Sequence, residues 1–249
     1  MKNHKKDIII LLLCLAVLFL LASVGFKTSD PEPEPTIAEL QVGPWPSAKI
    51  DDVAVSEKTE HYDINAVYPK TNSDTITTYF KNYVENQIAT FKDDTSWVND
   101  IESSSETSLT LDIKYDFVDS KNVQNYIFSV ASYTGGAHGL QVRKTFSFNK
   151  EGQLLTLSNL FFNELNDLKT FSDLVKKELL KRSDVNSDWL EDGAGPKEEN
   201  YQSFVVTDNG ITVLFDPYQV AAYASGNIDI SIPTSSFSKI ANPDIFFTQ

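Results

Sequence analysis

The chain opens on an apolar run, Ile8–Phe26, 19 residues without a charge. A helix of that length spans roughly 28 Å, about one hydrocarbon core. The pattern predicts a membrane anchor over residues 7–26. Lys2, Lys5 and Lys6 stand before it, so the positive-inside rule puts residues 1–6 in the cytoplasm and everything after Phe26 outside. Ser23 and Gly25 offer small residues at −3 and −1 of a cleavage site, so a removed signal peptide is the competing reading. Both readings export residues 27–249. Next, TSDPEPEPT (28–36) alternates proline with acid and predicts a stiff, extended stalk over 27–54.

Beyond the stalk the pattern switches between periods of two and of about 3.6. Tyr62, Ile64, Ala66 and Tyr68 alternate with polar neighbours and predict a strand stopped by Pro69. Ile76, Tyr79, Phe80, Tyr83, Val84, Ile88 and Phe91 then fall on one face of a helix, with Ser73 or Asp74 as its cap. Residues 93–107 are Asp- and Ser-rich and read as a loop. Leu109, Leu111, Ile113, Tyr115 and Phe117 alternate strictly with polar residues, the mark of a strand with one buried and one wet face. Strands follow over 125–133 and 142–148, then a turn at Asn149–Gly152 and a returning strand Gln153–Leu157. Leu165, Leu168, Phe171, Val175 and Leu179 predict a second helix, capped by Asn163 or Asn166, with Lys176, Lys177, Lys181 and Arg182 at its C-terminal end. A hairpin turning at Asp208-Asn209-Gly210 and a strand through Ile228, Ile230 and Ile232 complete the pattern. The order predicts an α+β fold of mainly antiparallel sheets with packed helices, in two lobes meeting near residue 150.

Charge narrows the function classes. The 249 residues carry a formal net charge of −14. Residues 1–26 hold three lysines and one aspartate, +2, so residues 27–249 hold 18 basic against 34 acidic side chains, −16. Such a surface repels phosphate backbones, which excludes nucleic acid, and favours cationic partners. The one cysteine, Cys14, lies in the apolar leader. Disulfide frameworks, thiolate metal sites and cysteine nucleophiles are therefore excluded from the exported part.

Catalytic chemistry finds little support. His4 falls on the cytoplasmic side, leaving His61 and His138, with no Gly-x-Ser-x-Gly elbow and no HExxH pair. Asp184, Asn186 and Asp188 match the opening of a calcium loop, but Trp189 and Gly195 stand where glycine and a bidentate glutamate are required. Carboxylates for glycoside hydrolysis are plentiful, yet with 34 exported acids some pair is always close. No cofactor and no metal is expected.

Two segments stand out. Tyr133-Thr134-Gly135-Gly136-Ala137-His138-Gly139 puts three glycines within five residues between two strands. It reads either as a tight connection whose histidine caps a backbone group, or as an exposed loop offering His138 and bare amides to a partner. Phe215–Gly226 brackets Tyr218 and Tyr223 between proline and glycine, a composition that suits a binding surface and packing on the sheet equally well. The candidate partner-binding residues are Tyr133, Thr134, Gly135, Gly136, His138, Tyr218 and Tyr223; no catalytic residue is assigned.

These segments also carry a resemblance. The Tyr133–Gly139 run, followed by Lys144–Phe148 and GQLLTLSNLF (152–161), resembles the start of the C-terminal domain of lysozyme-sensing anti-sigma factors of the RsiV kind. Phe215–Gly226 with IDISIP (228–233) resembles the end of that domain. Tyr62–Pro69 and the helix after it resemble the accessory domain beside the catalytic module of the peptidoglycan deacetylase PdaC. The resemblance implies a PdaC-accessory-like domain over 55–150 and an RsiV-like domain over 151–249. With six residues before Asp7, sigma-factor binding is not expected of this chain; with no metal-binding histidine module, neither is deacetylation. The topology, the charge and the resemblance together lead to the expectation of a single-pass, membrane-anchored, non-catalytic module of a bacterial envelope, binding a cationic protein such as lysozyme, or a cell-wall component such as peptidoglycan. The competing expectations are an enzyme acting on wall glycan through carboxylates or His138, and a structural envelope protein that acts by oligomerising.

Overall fold

The computed structural model describes residues 51–247, apart from 101–107, 163 and 186. The apolar run 8–26 and stalk residues 27–50 lie outside the described residues. Among the described residues no helix is long and apolar enough to cross a membrane.

The strict alternations become a five-stranded sheet in the order β1-β2-β3-β4-β5, formed by Asp51–Lys58, Tyr62–Lys70, Leu109–Asp119, Val123–Tyr133 and Leu140–Asn149. Its pairs are antiparallel except β2–β3, which run parallel with Tyr62 opposite Leu109 and Ala66 opposite Ile113. The sheet is thus mainly antiparallel, as expected, but mixed, with one parallel pair. Its cause is the long helix α1, Asp74–Asp94, which links β2 to β3. A helical crossover returns the chain to the same end of the sheet, so neighbours joined through it run parallel.

Helix α1 starts where the Ser73 hydroxyl accepts the Ile76 N–H at 3.3 Å. It stops at Thr95, whose N–H and hydroxyl both donate to the Phe91 carbonyl. Its apolar face buries Ile76, Phe80, Val84 and Phe91 on Ile64, Leu111, Ile113, Tyr126, Phe128, Phe146 and Phe148 of the sheet. Tyr79, Tyr83 and Ile88, expected on the same face, are half-buried at its margin.

Pro69 does not end β2. The β3 partner stops at Ala66, so Pro69 sits where β2 has a neighbour on one side, Asp52 of β1. A missing N–H costs little at such a position. Residues 51–54, expected in the stalk, belong to β1.

The second core is built on a three-stranded antiparallel sheet, β6-β7-β8 (Phe204–Thr207, Gly210–Phe215, Ile228–Pro233). Helix α2, Glu164–Leu179, buries Leu168, Phe171, Val175 and Leu179 against it. The expected Asn166 cap lies inside this helix, and Asn163 is outside the described residues. The expected returning strand 153–157 is reduced to one bridge, Phe148–Leu154, before a tight turn over Leu157–Leu160. Leu155 and Leu157 both go into the second core, while Leu154 packs against the first.

The two cores are stitched through β4, β5 and β6. The Asn125 amide accepts from the Val206 N–H (2.9 Å) and the Ser147 hydroxyl (2.8 Å) and donates to the carbonyls of Val206 (2.8 Å) and Val118 (3.0 Å). The outer edge of β5 is sealed as well. The Arg143 N–H donates to Asp216, the Arg143 carbonyl accepts from the Ser203 hydroxyl, and the Phe204 N–H donates to the Thr145 hydroxyl.

Candidate functional site

The β4–β5 connection is the glycine-rich segment, and the loop between β7 and β8 holds the two tyrosines. Sequence separation keeps them some 80 residues apart; the fold puts them in contact. The His138 ring stacks on Tyr223 with centroids 3.9 Å apart and planes 21° from parallel. Tyr218 leans on the other neighbour of that stack, 5.6 Å from Tyr223. The Tyr223 hydroxyl donates to the Gly139 carbonyl at 2.7 Å, and His138 Nδ1 lies 3.0 Å from the same oxygen. A carbonyl only accepts, so the ring meets it with Nδ1–H, leaving Nε2 as the acceptor of the imidazole.

The glycines are needed for the loop's path. Gly135 and Gly136 sit at φ +97° and +105°, a region closed to most side chains. A Cβ at Gly135 would also come within 3.2 Å of the Trp97 ring. Tyr133 closes the turn by donating its hydroxyl to the Gly136 carbonyl at 2.9 Å. Thr134 stands exposed between Tyr133 and Gly135, outside the stack.

Of the seven residues expected from the sequence, three, His138, Tyr218 and Tyr223, form one aromatic row; Tyr133, Gly135 and Gly136 shape the loop beneath it. Two contributors escape sequence reading. Trp97 is 44% exposed on the flank of Gly135, and Leu140 is 41% exposed just after Gly139. Trp97 falls in the polar stretch 93–107 that reads as loop, and a lone tryptophan among Asp and Ser is its only signal. With Tyr218 at 54%, these are three of the six large apolar side chains that stand well exposed among the described residues.

Tyr218 is the one described non-glycine residue at positive φ, +70°. An L-residue there costs about 1–2 kcal/mol, so the neighbours must impose it. Asp216, two residues before, accepts the Arg143 N–H at 2.9 Å. Arg143 in turn holds Asp229 through Nη1 (2.7 Å) and the Phe215 carbonyl through Nη2 (3.2 Å). On the other side, Gln219 donates to the carbonyls of Gly193 (2.9 Å) and Asn200 (3.0 Å). Gly193 is required for that approach, since a Cβ there would overlap the Gln219 carbonyl at 1.8 Å. Burial pushes the Asp216 carboxyl above the usual aspartate range, against the pull of Arg143.

Among the described residues no group of three His, Cys, Asp or Glu side chains is placed to hold a metal. Asp184, of the near-miss calcium loop, is instead paired with Arg182 at 2.8 Å. The stacked histidine and tyrosine are bordered by exposed apolar groups and the glycine-rich loop.

Comparison with known proteins places this architecture. Residues 158–235 match the family described as a protein of unknown function, DUF3298. The peptidoglycan-N-acetylmuramic acid deacetylase PdaC of Bacillus subtilis is 30% identical over 186 residues, 74% of this chain and 39% of PdaC. The immunogenic protein MPT64 of Mycobacterium tuberculosis is 23% identical over 140 residues, 56% of this chain and 61% of that one. A crystal structure of a DUF3298 family member from Bacteroides fragilis superposes with a TM-score of 0.56 at 20% identity, covering 81% of this chain and 97% of that one. That last likeness is one of fold. The chain is thus similar to part of PdaC and matches the DUF3298 model over residues 158–235, and it spans about two-fifths of PdaC and three-fifths of MPT64.

Proposed function

We propose that this chain is a non-catalytic, extracytoplasmic binding module of a bacterial envelope, tethered by residues 7–26, whose partner is a cationic protein of the lysozyme type. The observation that carries the reading is the aromatic row of His138, Tyr223 and Tyr218, exposed at His138 and Tyr218, with exposed Trp97 against Gly135 and exposed Leu140 just after Gly139. Rigid aromatics on a surface supply large contact area at small entropic cost, and tyrosine and tryptophan dominate binding hot spots. The −16 charge of residues 27–249 favours a basic partner and speeds its encounter. The match to PdaC leaves more than half of that enzyme uncovered, so the deacetylase named there is not transferred to this chain.

The test is calorimetric titration of residues 27–249 with a panel of lysozymes at low and moderate salt. One-to-one binding that weakens with salt, and falls at least about tenfold in Tyr218→Ala, is the expected result. No binding at either salt overturns the cationic partner. Retention on purified peptidoglycan would then move the partner to the wall, and turnover of muropeptides lost in His138→Ala would make the chain an enzyme. A concentration-dependent mass without any ligand would leave a structural role.

A further inference from the structure

A recess lies where side chains of the two cores meet. It encloses about 330 Å³. Its floor is apolar and buried: Phe146 from the first core, Leu155 and Leu157 from the second, with the Tyr79 ring along one wall. Its rim is not apolar. Glu198 and Glu199 stand exposed at the mouth, and Glu198 is steadied by a hydrogen bond from the Ser158 hydroxyl. Across from them Lys144 reaches Gln202, with Nζ 3.2 Å from Oε1.

We infer that this cleft seats the side chain of an arginine presented by a basic protein, a deepening that rests on the cationic partner proposed above. An apolar floor under a carboxylate rim matches a side chain that is alkyl along its stem and cationic at its tip. An anion would meet two carboxylates. A purely apolar group would desolvate them without supplying a counter-charge. Arginine suits the site better than lysine, because a planar guanidinium lies flat on the Tyr79 ring while forking toward a carboxylate. The chain's own Lys144 shows that this wall takes an alkyl-ammonium group, and it also competes for the site. The position fits one partner covering both surfaces: Lys144 follows Leu140 by four residues along β5, about 13 Å, well inside the width of an ordinary interface.

The experiment is an NMR titration of residues 27–249 with N-acetyl-arginine amide and with its uncharged citrulline counterpart. The arginine probe is expected to move resonances of Tyr79, Leu155 and Gln202, and citrulline to leave them. Glu198→Gln with Glu199→Gln should weaken the response about fivefold or more, and Lys144→Gln should strengthen it about threefold, roughly 1 and 0.6 kcal/mol. Equal responses to the two probes, shifts confined to other surfaces, or indifference to the glutamate changes would each overturn the cleft. The two readings separate cleanly. Lysozyme binding that survives E198Q/E199Q and is lost in Tyr218→Ala keeps the partner and overturns the cleft. An arginine response in the cleft without lysozyme binding keeps the cleft and overturns the partner.

Discussion

The molecule holds two aromatic clusters, and they are kept in place by opposite means. Inside the first core, Phe80 lies 4.7 Å from Tyr126, 5.3 Å from Phe128, 5.8 Å from Phe146 and 6.1 Å from Phe148, and burial alone holds the set together. On the surface, Tyr218, Tyr223 and His138 stack just as closely, yet Tyr218 stays 54% exposed. There the geometry is held by the backbone: a carbonyl that fixes Tyr223, a strained φ at Tyr218, and glycines under the loop. Aromatic content therefore marks a core as readily as a contact surface. What separates the two is whether hydrophobic burial or local backbone chemistry fixes the rings.

That contrast can be broken from either side. Phe80→Ala should have the largest effect, about 3–5 kcal/mol lost in denaturant unfolding, because it empties the centre of the buried cluster. Gly135→Ala should cost about 1–2 kcal/mol from its positive φ, and should also displace the Trp97 ring, seen as a change in tryptophan emission. Tyr126→Phe tests the inner cluster in the other direction. Its hydroxyl is buried with no hydrogen-bond partner among the described residues, so removing it should leave stability equal or raise it by about 1 kcal/mol. Tyr218→Gly sharpens the outer cluster. Relief of the strained φ should keep or raise stability by up to about 1 kcal/mol while partner binding falls, so the melt and the titration move in opposite directions. Asp216→Asn should give the smallest effect, and its sign follows from burial. The folded state holds the Asp216 proton more tightly than the unfolded chain, so its favourable contribution is present below the ordinary aspartate range and is lost as pH rises through the folded value. The variant's melting temperature should gain on the parent's from about pH 4 upward to neutrality.

Much of this was legible in the residues. The strict alternation Leu109–Phe117 and the 3.6-residue period from Ile76 to Phe91 gave β3 and α1, because a half-buried strand and a helix on a sheet each leave a clear period. β1 was missed since Asp51–Lys58 is an edge strand, polar on much of its length. The parallel β2–β3 pair was missed because direction is set by the crossover and not by the strand's own pattern. At the site, His138 and the two tyrosines stood out through unusual composition, but their stacking is tertiary and invisible to spacing. The strain at Tyr218 left no trace, since nothing in Asp216-Pro217-Tyr218 distinguishes a left-handed tyrosine from an ordinary one. The cleft under Glu198 and Glu199 was equally hidden, being assembled from four separate stretches of chain.

The Asn125 amide has a consequence of its own. Its oxygen and its two N–H groups all find partners, and those partners span both sheets. Opening the second core would break both of that amide's bonds to the Val206 peptide, leaving it only Ser147 and Val118 in the first sheet. Neither half can come apart while the other stays intact without that penalty. Heating should accordingly give one calorimetric endotherm with equal van't Hoff and calorimetric enthalpies, and Asn125→Leu should split it in two.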